Sequence, residues 1–431
     1  MQKPNYLYGF GNYFESEALE NVLIPGRNAP QKVPYGLYAE QISGSAFTAS
    51  RHLNLHSWLY RIRPSVMHGD FTHLPHEYLS GPPFNQMPTP PTQMRWNPRP
   101  YPEVKQDFIQ GLFTLCGNGS IEMLSGSAIH LYAINASMEN YFFSNSDGDL
   151  LIVPQEGSLE FKTEMGILSV KPGEIIVIPR GIKFQVKIID EKARGYICEN
   201  FGMPFRLPEL GILGANGLAN PRDFQIPQAA FEESKQDYKI VTKFQGLLWS
   251  APIDHSPLNV VAWHGNYVPY KYDLSKFNTL NTVSFDHPDP SIFTVLTSAS
   301  AMPGIANVDF VIFPPRWMVA HDTFRPPYYH RNIMNEYMGL IHGIYDAKQT
   351  GFVPGGGSLH NCMSAHGPDA EVFSKAVDAT LKPEYYDNTL AFMFESQQVW
   401  RLTPQAMMAS FRQNDYLKCW ENLASHFVME N

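Results

Sequence analysis

Four histidines and one glutamate crowd the stretch from Phe324 to Asp369 of this 431-residue chain: His330, Glu336, His342, His360 and His366. Two imidazoles and a carboxylate that converge on a divalent ion form a facial triad with open coordination positions. That set suits a non-haem Fe(II) centre that activates O2. Zinc with a hydrolytic water is the competing metal, because two histidines and a glutamate are also a catalytic zinc set. His330 and Glu336 are six residues apart, which on a helix separates them by about 240°. On one straight strand they share a face but sit about 20 Å apart. They reach one ion only if the chain turns between them. HRNI and EYMGLIHGIY read as two strands, with Met334-Asn335 as a tight connection folding Glu336 back toward His330. For the third ligand the spacing leaves two choices. His360 follows the Pro354-Gly355-Gly356 turn, and His366 arrives from a more distant loop. His342 lies in GLIHGIY, an apolar run that reads as a buried strand, so it is expected in the core or behind the ligands.

The elements that must hold these groups are mainly β. Residues 146–186 alternate short Leu/Ile/Val runs with Gly- and Pro-containing turns, the signature of a compact antiparallel barrel. This stretch resembles the cupin class of jelly roll. Where that class places a metal-binding histidine after a PxG turn, Pro179 and Gly181 are followed by Phe184. A phenyl ring cannot ligate, so this barrel is expected to be structural. Residues 1 to about 120 look irregular, and the proline-rich run from Pro82 to Pro102 excludes helix interiors and central strands. Its aromatic and Met content predicts an arm wrapped over another surface. His52 and His56 sit in text that alternates like a strand, too far apart along it to share a metal. Helices are expected late in the chain: over Asp369–Ala379, after the Thr403-Pro404 cap, and along the face Tyr416, Trp420, Leu423, Phe427.

Composition narrows the function. A formal charge of −9 with no basic run argues against a nucleic-acid partner. Only 17% of residues are charged, which suits a subunit that buries faces in an oligomer. No apolar run is long enough to cross a bilayer. The N-terminal text lacks the pattern of a signal peptide, and the four cysteines are dispersed, so a cytoplasmic protein with reduced thiols is expected. Residues 201–225 are glycine-rich but lack phosphate-loop spacing.

Several long strings carry a closer likeness: YGFGNYFESEAL at Tyr8–Leu19, HLNLHSWLYRIRPSV at His52–Val66, and FRLPELGILGANGLANPRDF at Phe205–Phe224. FDHPDPSIFTVLT at Phe285–Thr297, FRPPYYHRN at Phe324–Asn332, GGGSLH at Gly355–His360 and AFMFES at Ala391–Ser396 extend it. By these strings the chain resembles the homogentisate 1,2-dioxygenase family nearly end to end. The resemblance implies a mainly β protein with a cupin-like, jelly-roll β-sandwich core in two domains and peripheral helices. Residues 1–275 would form an N-terminal β-sandwich domain with an extended arm, and 276–431 a C-terminal domain carrying an iron site. It implies Fe(II) held by His330, Glu336 and His366, with His287 as proton acceptor and Tyr345 and His366 against the substrate. The implied reaction opens the ring of homogentisate with O2 to give maleylacetoacetate, in tyrosine and phenylalanine breakdown. The implied assembly is a hexamer built from two trimers. Met318, His321-Asp322 and His342 depart from the family's text without replacing a ligand. Two other readings remain open. A metal-dependent cupin isomerase acting on a sugar phosphate would need Arg316, Arg325 or Arg331 at the metal, and a non-enzymatic bicupin would hold no metal.

Overall fold

The computed structural model describes residues 5–214 and 217–429, and it is built from mainly antiparallel sheets, with one parallel pair between Tyr141–Asn145 and Tyr238–Phe244, and few helices. One nine-stranded sheet runs Tyr6–Tyr8, Gln225–Pro227, Tyr270–Asp273, Glu174–Ile178, Asp149–Glu156, Ala193–Asn200, Ser127–Ile134, Leu112–Gly117, Arg401–Leu402. A seven-stranded sheet contains Gly166–Val170, Leu159–Thr163, Phe184–Ile188, Tyr141–Asn145, Tyr238–Phe244, Leu247–Ile253 and Thr72–Leu74. Leu159, Phe161, Leu168 and Val170 alternate inward in the second sheet and share one core with Ile152, Ile176 and Val177 of the first. This is the two-layer sandwich that period-2 burial produces.

Phe184 is buried among Phe143, Phe161 and Phe108, with ring centroids 5.4, 5.8 and 6.2 Å away. Aromatic packing fills the place where a cupin of this kind would hold a ligand. The same sandwich buries a polar network, in which Lys243 Nζ lies 2.7 Å from Asp147 and 2.8 Å from Glu199. Glu199 also accepts from His130 at 3.0 Å and from Asn145 at 2.6 Å. Each charge has an opposite partner, as burial requires.

Accompanied by smaller four- and two-stranded sheets, a six-stranded sheet runs Thr294–Ala299, Ala306–Phe313, Thr389–Ser396, Asn335–Gly343, Gly357–His360 and Met94–Trp96. Its back packs on the nine-stranded sheet through Tyr196. That ring meets Phe392 edge-on at 4.8 Å, and its hydroxyl donates to Gly356 O at 2.8 Å. The two parts of the chain also exchange strands. Met94–Trp96, from the proline-rich run, pairs with Gly357–Leu359, while Arg401–Leu402 pairs with Cys116 and Gly117. Trp96 is fully buried and donates Nε1 to Ala406 O at 2.9 Å.

Three expectations need correction. Residues 1–120 are not simply irregular; they contribute short strands that complete the edges of distant strands, as Phe14–Glu17 does beside Val260–Gly265. Strands of three to six residues carry no readable period. His52 lies in a turn, and its strand begins only at His56. The face Tyr416 to Phe427 is not a helix. One 3₁₀ turn spans Tyr416–Trp420, and Leu423 and Phe427 are exposed. Tertiary anchors fix this turn: Trp420 Nε1 donates to Pro368 O, and Lys348 Nζ sits 4.4 Å from the Trp420 ring centre. The helices at Ala370–Val377 and Pro404–Met408 do form, N-capped by Asp369 and Thr403.

Candidate metal centre

Three neighbouring strands of the six-stranded sheet present alternate side chains to one cavity. Glu336 pairs with Glu395 on one side and His360 on the other, and Met338 pairs with Met393 and Ser358. Directly paired residues share a face, and so do residues two apart on one strand. The cavity floor is therefore two rows, Glu395–Glu336–His360 and Met393–Met338–Ser358. Arg95 extends the second row, because it pairs with Ser358. The enclosed volume is about 330 Å³, within the range of small-ligand sites.

His330 and His366 reach the floor from two loops that are tied together. His330 N donates to His366 O at 2.9 Å, and His366 N donates back to His330 O at 3.1 Å. Their rings lie 4.2 Å apart, centre to centre. His330 Nε2 stands 3.6 Å from Glu336 Oε1, and His366 Nε2 stands 2.8 Å from Glu336 Oε2. The side chains are 29% exposed for His330 but only 7% for Glu336 and 9% for His366, so the mouth opens beside His330. Asn332 Nδ2 also donates to Glu336 Oε1 and fixes the carboxylate's tilt.

The tautomers follow from the partners. His330 Nδ1 lies 2.8 Å from Tyr328 O, and His366 Nδ1 lies 2.8 Å from Ser364 O. A carbonyl only accepts, so each Nδ1 carries the ring proton and each Nε2 offers a lone pair. One ligand atom from each of His330, Glu336 and His366 lies within 4.8 Å of the others. Two lone pairs and a carboxylate this close repel one another unless a cation or added protons lie among them. Backbone carbonyls that fix imidazole tautomers are what a metal-binding pair needs. The residues present thus fit a divalent ion. Burial alone would raise the Glu336 pKa, but hydrogen bonds and charge from His330 and His366 hold it well below the usual carboxylate range. His330 is correspondingly raised, chiefly by its hydrogen bond to Glu336.

His360 stands one layer behind. It stacks on His366 with centroids 4.1 Å apart and an interplanar angle of 12°. Its Nε2 is 2.8 Å from the Tyr416 hydroxyl, and its Nδ1 is 4.0 Å from Glu336 Oε2. Burial holds its pKa well below the ordinary value, with the charge of His366 adding to the effect. His360→Ala is expected to weaken metal binding about 10–100-fold through loss of that backing, measured by competition with a coloured chelator. Complete loss of bound metal would make His360 a ligand instead.

Two expected groups stand in the cavity wall. His287 is half-buried, with Nδ1 2.8 Å from Pro288 O, which leaves Nε2 as its free acceptor. Desolvation lowers its pKa, partly offset by the charge of Asp346. Tyr345 is held edge-on between Phe313 at 5.6 Å and Phe352 at 6.1 Å. Burial pushes its hydroxyl far up, so it stays a proton donor.

Elsewhere the local reading is revised. HRNI is not a strand; the chain bends at Ile333 and Met334, and the backbone partner of His330 is His366. His342 is exposed, because a bulge between Leu340 and His342 reverses the strand's alternation. It is neither core nor support. Arg95, Lys348 and Glu395 are not singled out from the sequence, and Tyr416 is marked only as part of a helix face, yet all four line the cavity. For Glu395 a signal existed, its alternation with Met393 in AFMFES. Arg95 sits among prolines with no pattern to mark it.

Residues 5–274 match the family model "Homogentisate 1,2-dioxygenase N-terminal", and residues 275–427 match "Homogentisate 1,2-dioxygenase C-terminal". Among solved structures, a putative glyoxylate-induced protein from Pseudomonas aeruginosa is 10% identical, with TM-score 0.30, over 68% of this chain and 82% of that one. A protein of unknown function from Pseudomonas syringae is 12% identical, with TM-score 0.29, over 76% and 100%. A cupin-2 domain protein from Shewanella frigidimarina is 20% identical, with TM-score 0.16, over 17% and 70%. The two family models together span nearly all of the sequence, and the chain belongs to the homogentisate 1,2-dioxygenase family.

Proposed function

We propose that this chain is an Fe(II)-dependent ring-cleaving dioxygenase that converts homogentisate and O2 to maleylacetoacetate. The observation that carries the reading is the convergence of His330, Glu336 and His366 at the floor of a cavity whose wall holds His287 and Tyr345. His330 and His366 would hold the ion through Nε2, and Glu336 through its carboxylate. Bound Fe(II) supplies a Lewis acid for a substrate ring hydroxyl and a redox centre for O2.

The remaining work falls to the protein. His287 takes the ring-hydroxyl proton at Nε2 and later returns it, while the Nδ1 bond to Pro288 O keeps the imidazole in the accepting tautomer. Tyr345 donates a hydrogen bond to the substrate from a hydroxyl that burial keeps protonated. Met338, Met393 and Phe313 give the cavity dry walls, which strengthens each polar contact inside. The assembly implied by the family, a hexamer of two trimers in the cytoplasm, belongs to the same proposal.

Of the three arginines the isomerase reading calls on, Arg316 is committed to Asp346 and Pro314 O, Arg325 to the carbonyls of Ala320 and Lys382, and Arg331 stands in the cavity lining. A non-enzymatic bicupin offers no use for acceptors that repel without a cation. Fe(II)-loaded protein is expected to consume O2 when homogentisate is added and to release the ring-opened chromophore. Absence of both in protein with full iron occupancy would sink the proposal.

A further inference from the structure

The cavity has a cationic end that the metal chemistry does not use. Arg95 and Lys348 both line it, and they are only 6% and 7% exposed. Arg95 Nη1 is buried without a hydrogen-bond partner. Arg95 Nε donates to Gln413 Oε1, a neutral amide, and Lys348 Nζ donates to Gly367 O at 2.7 Å. Neither forms an ion pair with a carboxylate among the described residues. The carboxylate that acts on both through space, Asp369, is spent elsewhere. It accepts the backbone N–H of Gln349 and caps the following helix at Val372 N. A buried cation without an anion is costly, so two of them at one cavity describe a site missing its anion.

The surroundings hold both cations in place. The Arg95 guanidinium lies 4.3 Å from the Tyr416 ring centre, and Lys348 Nζ lies 5.5 Å from the same centre and 4.4 Å from that of Trp420. Gly351, at φ +78°, lets the loop close on the guanidinium; a Cβ there would stand 2.4 Å from Nη2. Tyr416 also bonds His360, which stacks on His366, so this end adjoins the floor on the His366 side. Strands about 4.8 Å apart place the Arg95 backbone about 10 Å from that of Met338, and a long guanidinium side chain spans much of that gap. Across the cavity lie Asp289 and Glu395, the latter held uncharged near neutrality because burial and the charge of Glu336 push its pKa up to about 8. An acidic substituent is therefore drawn to the Arg95 and Lys348 end.

Resting on the functional reading above, we propose that Arg95 and Lys348 bind the side-chain carboxylate of an arylacetate substrate and fix which ring edge faces His287 and the metal ligands. Burial lowers the pKa values of both cations, to about 8 for Lys348, and the charge of a bound anion offsets that cost. The pair thus sets specificity for 2,5-dihydroxyphenylacetate over neutral hydroquinones.

The test uses Fe(II)-loaded protein, wild type beside Arg95→Gln, Lys348→Gln and Arg95→Lys. Anaerobic equilibrium dialysis measures homogentisate and methylhydroquinone binding, and O2 uptake measures turnover. Each Gln variant is expected to bind homogentisate about 10²-fold more weakly while binding methylhydroquinone nearly as wild type does. Arg95→Lys, which keeps the charge, is expected to recover part of the loss. Unchanged preference for the acid in both Gln variants overturns the proposal, as does equal loss of both ligands together with iron. If wild-type protein binds the acid but consumes no O2, the functional reading fails while the carboxylate subsite stands. If wild type shows no preference for the acid, the subsite fails alone.

Discussion

Glu336→Ala is expected to yield folded protein that retains no iron and turns over no homogentisate. Glu336 supplies the one carboxylate in the converging set, and its side chain is 7% exposed. Without it, two neutral imidazoles would have to hold a doubly charged ion in a mostly apolar cavity, and the charge would be uncompensated. Nothing adjacent substitutes. Glu395 faces the same cavity from the paired strand, but it is not among the groups that converge, and its burial, the largest cause of its raised pKa, persists in the variant and favours the uncharged acid. The substitution would also free Asn332 Nδ2 and His366 Nε2, loosening the two loops beside the mouth. Iron would be measured by emission spectroscopy after desalting, and fold by circular dichroism. Stoichiometric iron in Glu336→Ala would remove this residue from the ligand set. Glu336→Gln separates charge from shape: it keeps the volume and one acceptor, and it is expected to lose iron nearly as completely.

The parts of the chain that were legible in the sequence are those whose information is local. The short apolar runs and turns of residues 146–186 form the strands they suggest, because each strand's alternation decides which side is buried. Phe184, which follows the Pro179-Gly181 turn, is packed among Phe143, Phe161 and Phe108 as an apolar residue there must be. The candidate ligands were visible as residue types, but their convergence was not. His330 meets His366 through a backbone bridge between loops that no spacing rule connects. His342 was misplaced for a definite reason: one bulged residue shifts a period-2 pattern by one, and every later side chain changes face. Arg95 reaches the cavity only because Met94–Trp96 pairs with Gly357–Leu359, a long-range register that a proline-rich segment cannot announce. The spacing at Tyr416 to Phe427 matched a helix, yet anchors on Lys348 and Pro368 hold a single turn. Local pattern shows what a segment can be; which neighbour it meets decides what it becomes.

His287→Gln is expected to keep its iron and lose roughly 10²–10⁴-fold in kcat. The side chain lines the cavity but is not among the three groups that converge, so metal content is insensitive to it. Its contribution is a lone pair at Nε2, and glutamine fills similar space without a basic nitrogen. The pH dependence follows from the sign of its shift. Desolvation lowers its pKa, so the neutral, accepting form persists below the ordinary histidine value of about 6.5. Activity of the wild type should therefore stay level through neutrality and fall only as pH drops through the lowered value. The same shift gives a linked stability effect. Below the ordinary value the unfolded chain binds this proton more readily than the folded one, so folding weakens as pH falls through that window. In His287→Gln the acid limb due to this group should disappear from kcat, leaving a slow and flatter profile. Anaerobic binding of homogentisate should change little, which separates lost proton transfer from lost binding. An unchanged kcat, or an acid limb that survives the substitution, would assign the proton to another group, and Glu395 would be the next to replace.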